Sequence, residues 1–488
     1  MDDGIPVEWL QEEPQQIINR AGKLLLEEDP TNCTTARRLC EIVMGIDRGN
    51  AGLVYMVGTS YMRQSRWAFA EQWFRRAVDL DDNFAPAWNN LGWCYQQEGR
   101  NDEAKAMFHK AADLAPTMAE FKNNLATLYV NNGTPEEAIK QLSAALKLDP
   151  DNPDAQWNLG LANLEKKNWA EGWAGYRAGM INDVRSSQKR KLRIYPQHKD
   201  MPYWDGEKNQ KLVIYGEQGV GDEILGASML ADVAEHLDGE IVYECHPRLV
   251  EIMRHSFPGL SIYGTRKIPS DQVFWPQWEE VNAKIPILGL GEYFRTQDSD
   301  FPRKPYLVSF EEKVKSYQEK FSSVKKPVIG FSWKGGSALT RHDLRSIPLE
   351  MFIEGVIKRF DAHWVSLQYD PADRIGWNTP IVADAEKRFG VEMHHDEWVV
   401  NDLDECYGGL IHALDHVVTV NTSLVHACGA YGVDCTVLTP SRPAWRYNIE
   451  GEEMIWYGDN VRQLRQKEGD WEPVLSRLVA ELEEKFSD

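Results

Sequence analysis

Long apolar runs are missing from this 488-residue chain: no stretch of about 18 apolar residues occurs, and the acidic start lacks the apolar segment of an export signal. Neither a membrane span nor export is expected, and the expected location is cytoplasmic. Cysteine is scarce, with seven residues (Cys33, Cys40, Cys94, Cys245, Cys406, Cys428 and Cys435) scattered singly and without a Cys-x-x-Cys pair. This spacing excludes a dense disulfide framework, suggests no metal site, and fits reduced thiols in a cytosol-like compartment. Positive charge is in deficit: 54 Lys and Arg stand against 75 Asp and Glu, a net charge of −21. A nucleic-acid partner would need a concentrated basic footprint, so none is expected, and an anionic small ligand would need a local basic pocket. The length exceeds what one hydrophobic core supports, so two or three domains are expected.

What is present first is a period. The chain aligns with itself at a 34-residue offset, giving repeats at 51–84, 85–118, 119–152 and 153–184. A small residue (Gly58, Gly92, Ala126, Gly160) follows the first hydrophobic anchor. Further columns hold Tyr61, Tyr95 and Tyr129, then Ala70, Ala104 and Ala138, then Phe74, Phe108, Leu142 and Tyr176. Period and columns match the helix-turn-helix unit of tetratricopeptide repeats. Residues 17–50 keep Ala36 and Cys40 in phase and are expected to form a degenerate cap. Each such repeat buries its apolar face only against its neighbours, so residues 1–184 are expected to form an α-solenoid with a concave face for a protein or peptide partner. A homodimer formed through the repeats is one expected assembly. Asn90, Asn124 and Asn158 share one column of the first helix. A carboxamide both donates and accepts, so a spaced row of them can hold an extended peptide backbone. Asn is also common at this column for reasons of packing, and both readings stand.

Beyond a basic stretch, Arg185–Arg193, short β-rich runs alternate with helical ones, and the domain boundary is placed there. Lys211–Tyr215 reads as a buried strand, Glu217–Glu223 as a turn and Ile224–His236 as a helix, the opening unit of a doubly wound sheet. Gly219 and Gly221 in that turn allow a ligand close to the helix amino-terminus, where free amides favour anions. The turn is neither a phosphate loop nor a complete Gly-x-Gly-x-x-Gly fingerprint. A second such unit begins at Pro327–Trp333 and continues into Lys334-Gly335-Gly336. Further strand signals are His363–Gln368, His416–Val420 and Cys435–Leu438. In Val420–Ala430 a strand ends, Asn421, Thr422 and Ser423 follow, and a helix begins whose amides could hold a diphosphate. His426 lies one turn on. These polar residues also make ordinary helix caps.

Trp204-Asp-Gly206, Glu217–Asp222, Cys245–Leu249 with Ser256–Pro258, Arg345–Leu349, Ser366–Gln368, Asn421–His426 and Trp445-Arg446 occur in this order, with a Glu171–Arg177 junction before them. In these motifs the chain resembles bacterial tetratricopeptide proteins whose carboxy-terminal domain is similar to lipopolysaccharide heptosyltransferases and, more distantly, to O-GlcNAc transferases. The resemblance spans roughly residues 160–465. It implies an α-solenoid followed by a GT-B fold of two Rossmann-like domains, 185–325 and 326–488, with Glu472–Phe486 as a final helix crossing back to the first. It also implies metal-independent, inverting sugar transfer from a UDP-, GDP-, ADP- or CMP-sugar, with Asp222 as general base. A carboxylate within reach can take the proton of an attacking hydroxyl, and Glu217 and Glu223 are the neighbouring substitutes. An Asp at a helix start is also an ordinary cap.

A leaving diphosphate needs fixed cations and helix-end amides, and Lys334 and Arg345 are the candidates. The expected donor site adds Gly219, Gly221, Trp333, Gln368, Asn421, Thr422, Ser423, His426, Trp445 and Arg446. The expected acceptor contacts are Asn90, Asn124, Asn158 and Glu217. Asn421 stands where the heptosyltransferase pattern has Asp, which casts doubt on heptose and also fits lost activity. The expected function is therefore transfer of a sugar to a protein hydroxyl, for example on a flagellin or surface protein. Glycan assembly and a non-catalytic scaffold are the alternatives.

Overall fold

The computed structural model describes residues 5–27, 29–181, 201–216, 219–265, 281–335, 342–370, 376–467 and 469–487. It divides into two compact units, Met1–Ala162 and Asn163–Asp488. The division falls inside the fourth repeat, whereas the boundary expected at 184/185 lies outside the described residues, as does the basic stretch.

The first unit is a succession of helices: α1 (Pro14–Leu26), α2 (Pro30–Met44), α3 (Ala51–Arg63), α4 (Trp67–Leu80), α5 (Ala85–Gln97), α6 (Asn101–Leu114), α7 (Ala119–Asn131), α8 (Pro135–Leu148) and the start of α9 (Pro153–Glu165). Residues 17–50, where a degenerate cap is expected, carry α1 and α2, which pack on each other and on α3. Side-chain caps start α2 and α3: the Asp29 carboxylate accepts from the Thr31 amide at 2.8 Å and the Asn50 carboxamide oxygen from the Leu53 amide at 3.1 Å. Gly99 and Gly133 end α5 and α7 with φ of +76° and +68°, a left-handed turn that suits glycine.

The repeat columns are packing devices. A methyl group on Gly58 would stand 2.7 Å from the Phe74 ring, and one on Gly92 2.9 Å from Phe108, so the small column lets the two helices of a repeat meet. Each Tyr of the next column is covered by a cation: Arg37 lies 4.2 Å from the Tyr61 ring centroid, Arg100 4.0 Å from Tyr95 and Lys105 5.2 Å from Tyr129.

The second unit begins with the end of α9 and α10 (Trp169–Ile181), followed, among the described residues, by ten parallel strands in two sheets. The strands are β1 (Leu212–Tyr215), β2 (Ile241–Cys245), β3 (Ser261–Gly264), β4 (Ala283–Pro286), β5 (Val328–Ser332), β6 (His363–Ser366), β7 (Met393–His395), β8 (His416–Val420), β9 (Cys435–Thr439) and β10 (Val461–Arg465). The first sheet runs β3-β2-β1-β4 and the second β10-β9-β8-β5-β6-β7. Every residue of β1, β2, β5, β8 and β9 is buried, as expected of parallel strands covered on both faces. The Glu171–Arg177 junction lies on α10. There the Trp173 indole donates to the Arg295 carbonyl at 2.8 Å and fills the space a Gly291 side chain would take.

The final helix, Glu472–Phe486, has the bounds read from the sequence. Its Val474, Leu475, Leu478, Val479 and Leu482 join the core of the six-stranded sheet beside Phe331 and Phe352. Its charged side chains pair in the same half, Arg477 with Glu452 and Lys485 with Asp434. These contacts differ from the expected crossing back to the first half, because the apolar stripe of the helix matches the surface next to it.

Candidate functional site

Two short helices follow β1 and β8 and meet at their starts. The first, Val220–Ala227, has Asp222 in its first turn, where the carboxylate Oδ2 accepts the Gly219 amide at 3.1 Å. The second, Ser423–Tyr431, is capped by Thr422, whose hydroxyl accepts from the Leu424 amide at 3.2 Å. Their contact depends on Gly221, since a side chain there would stand 2.8 Å from the His426 ring and 3.1 Å from the Ser423 Cα. Gly221 thus serves a close approach of helix to helix, while Gly219 caps the first helix and gives its amide to Asp222.

Around this contact the structure gathers most of the expected residues. Arg446 forms an ion pair with the other oxygen of Asp222, and both side chains are largely buried. The Arg345 guanidinium donates to the Asn421 carbonyl at 3.2 Å. Burial lowers its proton affinity, and nearby Arg446 acts in the same direction. Arg345 and Arg446 thus both act electrostatically near Asp222. Gly335 lies against the Asn421 and Arg345 carbonyls, which brings the end of β5 to the same place. The Asn421 side chain is fully buried, and neither its amide nitrogen nor its oxygen has a hydrogen-bond partner. Such a group costs roughly 1–3 kcal/mol, so its retention calls for an explanation.

Several expected residues hold the scaffold. The Gln368 carboxamide accepts the Trp333 and Lys334 amides at 3.2 and 2.9 Å and donates to the Lys334 carbonyl at 3.1 Å, which ties the ends of β5 and β6 together. Trp333 is core, stacked on Phe331 at 5.6 Å. His426 sits between two phenols, with Nδ1 2.9 Å from the Tyr457 hydroxyl and Nε2 3.2 Å from that of Tyr447. Burial, with Arg446 acting in the same direction, lowers its pKa to about 3, so it is a neutral packing residue. Glu223 is buried and accepts the His246 amide at 2.7 Å, linking the first helix to the end of β2. Trp445 packs edge-on against Trp173 at 5.7 Å and Trp456 at 6.2 Å. Glu217 lies outside the described residues.

Asn90, Asn124 and Asn158 belong to the first unit and are buried. Asn90 donates to the Tyr55 hydroxyl at 3.0 Å, Asn124 to the Asn89 carboxamide at 2.9 Å, and Asn158 to Asn123 at 3.2 Å and Thr127 at 3.1 Å. Each bond joins one repeat to the repeat before it. The packing reading of this column thus has a specific form, a carboxamide stitch between neighbouring first helices.

Sequence reasoning missed Tyr407, Tyr447 and Tyr457. Tyr407 shares a 2.7 Å hydrogen bond with the Ser423 hydroxyl. No periodicity marks these tyrosines, which reach the site from irregular segments. Also missed was a cavity of about 660 Å³ beyond the carboxyl ends of β2 and β7, lined by Arg248, Glu251, Trp398, Asn401 and Asp404 among others. The Arg248 guanidinium donates to the Asn401 carbonyl at 2.8 Å across it. Among the described residues no helix is long and apolar enough to cross a membrane.

Tetratricopeptide-repeat models match residues 73–106 and 95–164, so this part of the chain consists of tetratricopeptide repeats, a module for binding proteins or peptides. Protein FlbA of Caulobacter vibrioides is 25% identical over 299 residues, covering 57% of this chain and 48% of its own length. The chain thus spans about half the length of that curated relative. Among solved structures, MamA of Desulfovibrio magneticus RS-1 is 17% identical, covers 36% of this chain and 96% of its own, and has a TM-score of 0.30. YrrB, described as a TPR protein with an unusual peptide-binding site, is 20% identical with coverages of 38% and 92% and a TM-score of 0.29.

Proposed function

We propose that the second unit transfers a sugar from a nucleoside-diphosphate sugar to a hydroxyl on a protein bound by the repeats. The two parallel sheets are read as the halves of a GT-B fold, with the donor at the contact of helices Val220–Ala227 and Ser423–Tyr431. The observation that carries the reading is the gathering of Asp222, Arg345, Arg446 and the unsatisfied Asn421 at the carboxyl ends of β1 and β8, where doubly wound sheets bind ligands. Asp222 is the base for the acceptor hydroxyl, the cations hold the leaving diphosphate, and Asn421 finds its partners on the donor. The cavity beside Arg248 and Trp398 is read as the approach for the acceptor.

A panel of UDP, GDP, ADP and CMP tests donor binding by thermal stabilisation, since a ligand selective for the folded chain raises its Tm. In Asp222→Asn, nucleotide binding is expected to persist while transfer from the matching nucleotide sugar falls by about 100-fold or more. Full turnover in that variant would remove Asp222 from the mechanism. No stabilisation by any of the four would favour the second reading, a scaffold with a degenerate transferase domain. That reading is supported by the Asp222–Arg446 pair, which closes the base, and by Asn421 standing where related enzymes keep an acid.

A further inference from the structure

We propose that Arg446 exchanges partners, leaving Asp222 for the donor diphosphate, so that donor binding itself opens the carboxylate to the acceptor. The inference rests on the transferase reading above. One Asp222 oxygen accepts the Gly219 amide at 3.1 Å and the other is paired with Arg446. A hydroxyl approaching this carboxylate meets a guanidinium first. The side chains of Arg446 and Asp222 are only 17% and 11% exposed, so the pair is sheltered from the solvent screening that makes surface pairs negligible.

The surroundings supply both the competitor's site and the means of exchange. Arg345 lies close enough for both Arg446 and Asp222 to influence its protonation, so a second guanidinium stands near the pair. A diphosphate carries more charge than a carboxylate and matches the planar guanidinium fork as well, so it competes directly for Arg446. Trp445, the residue before it, is fixed against Trp173 and Trp456. The long Arg446 side chain can therefore turn from one anion to the other by rotamer changes alone.

The reaction then balances without a further reagent. The acceptor hydroxyl proton moves to the freed oxygen of Asp222 as the hydroxyl oxygen bonds to the anomeric carbon. The bond from that carbon to the diphosphate oxygen breaks, and its electron pair leaves with the nucleoside diphosphate, held by Arg446. Departure of that product and loss of the proton to solvent return Arg446 to Asp222. The exchange imposes an order, donor before acceptor, because the carboxylate is closed until the diphosphate arrives.

Reciprocity provides the test: if the diphosphate must take Arg446 from Asp222, neutralising Asp222 must tighten diphosphate binding. UDP, GDP, ADP and inorganic pyrophosphate are titrated calorimetrically into the full chain, into Asp222→Asn, into Arg446→Ala and into the double variant. Asn retains an acceptor oxygen for the Gly219 amide, so the helix start is preserved, and Arg446→Lys replaces Arg446→Ala should the latter not fold. The expected result is about tenfold tighter binding by Asp222→Asn, about tenfold weaker binding by Arg446→Ala, and no gain from Asp222→Asn once Arg446 is removed. Unchanged or weaker binding by Asp222→Asn beside a wild type that binds overturns the exchange and leaves the transferase reading intact. A tenfold gain that persists without Arg446 also overturns it, since it would reflect general charge. Binding of no probe by either the wild type or Asp222→Asn overturns both.

Discussion

Asn124 and Asn421 are both buried asparagines, one in each unit, and their circumstances are opposite. The amide of Asn124 is bonded to Asn89 at 2.9 Å, and the same arrangement recurs from repeat to repeat. Asn421 is fully buried without a partner for either of its polar atoms. Along this column of the repeat unit the carboxamides find partners in the preceding repeat, so burial and stability agree there. In the α/β unit Asn421 is held unsatisfied where the Arg345 guanidinium bonds its carbonyl, which is a cost to the fold that a ligand would remove.

The largest break in this comparison comes from Asn124→Leu, a change of nearly constant volume. It strands the Asn89 carboxamide oxygen, whose amide nitrogen keeps its bond to Asn90, and is expected to destabilise the repeats by about 1–3 kcal/mol, read as a lower denaturation midpoint with an unchanged m-value. A loss of less than a few tenths would show that the stitch adds nothing.

Acid gives an effect of similar or slightly smaller size in the other unit. Burial holds His426 down to about 3 and His416 to about 4, while in the unfolded chain each titrates near the ordinary imidazole value of about 6.5. The unfolded state therefore binds more protons between these values, so stability is complete above about pH 6.5 and falls as the pH drops toward 4. The expected loss from His426 alone between pH 6.5 and 5 is about 1–2 kcal/mol. Calorimetric melts at the two pH values check this, and His426→Gln should flatten the dependence. An equal slope in that variant would assign the acid sensitivity elsewhere.

The smallest effect has the opposite sign. Asn421→Leu removes two unsatisfied atoms and is expected to leave stability unchanged or raise it by up to about 1 kcal/mol, while nucleotide binding weakens. A clear loss of stability would mean that the carboxamide serves the fold after all.

The same contrast explains what could be read from the sequence. The repeats were legible because Gly58 and Gly92, or Tyr95 and Tyr129, do one job in successive copies, and repetition exposes the job. Strands such as His416–Val420 were legible because parallel strands buried on both faces need unbroken apolar runs. The site was legible only as separate motifs. That Asp222 meets Arg446 is a property of chain folding between distant segments, and no local spacing encodes it. Gln368 is expected in the donor site on its Ser366–Gln368 motif, yet its bonds to the Trp333 and Lys334 backbone give it a bracing task. The tyrosines around His426 and Ser423 escaped notice because single aromatic residues in irregular segments carry no pattern.

Helix α10 carries a consequence for how such a chain can change over time. Counted by the 34-residue period it is the last helix of the array, yet its Trp173 is seated beneath Gly291 and bonded to the Arg295 backbone, so the α/β unit claims it. Insertions or deletions of whole repeats before Ala162 leave that seat untouched, whereas a cut at the formal end of the fourth repeat would remove a pillar of the neighbouring fold. The length of the array is thus an independent variable, open to lengthening or shortening in steps of one repeat, and a minimal α/β fragment must begin upstream of Trp169.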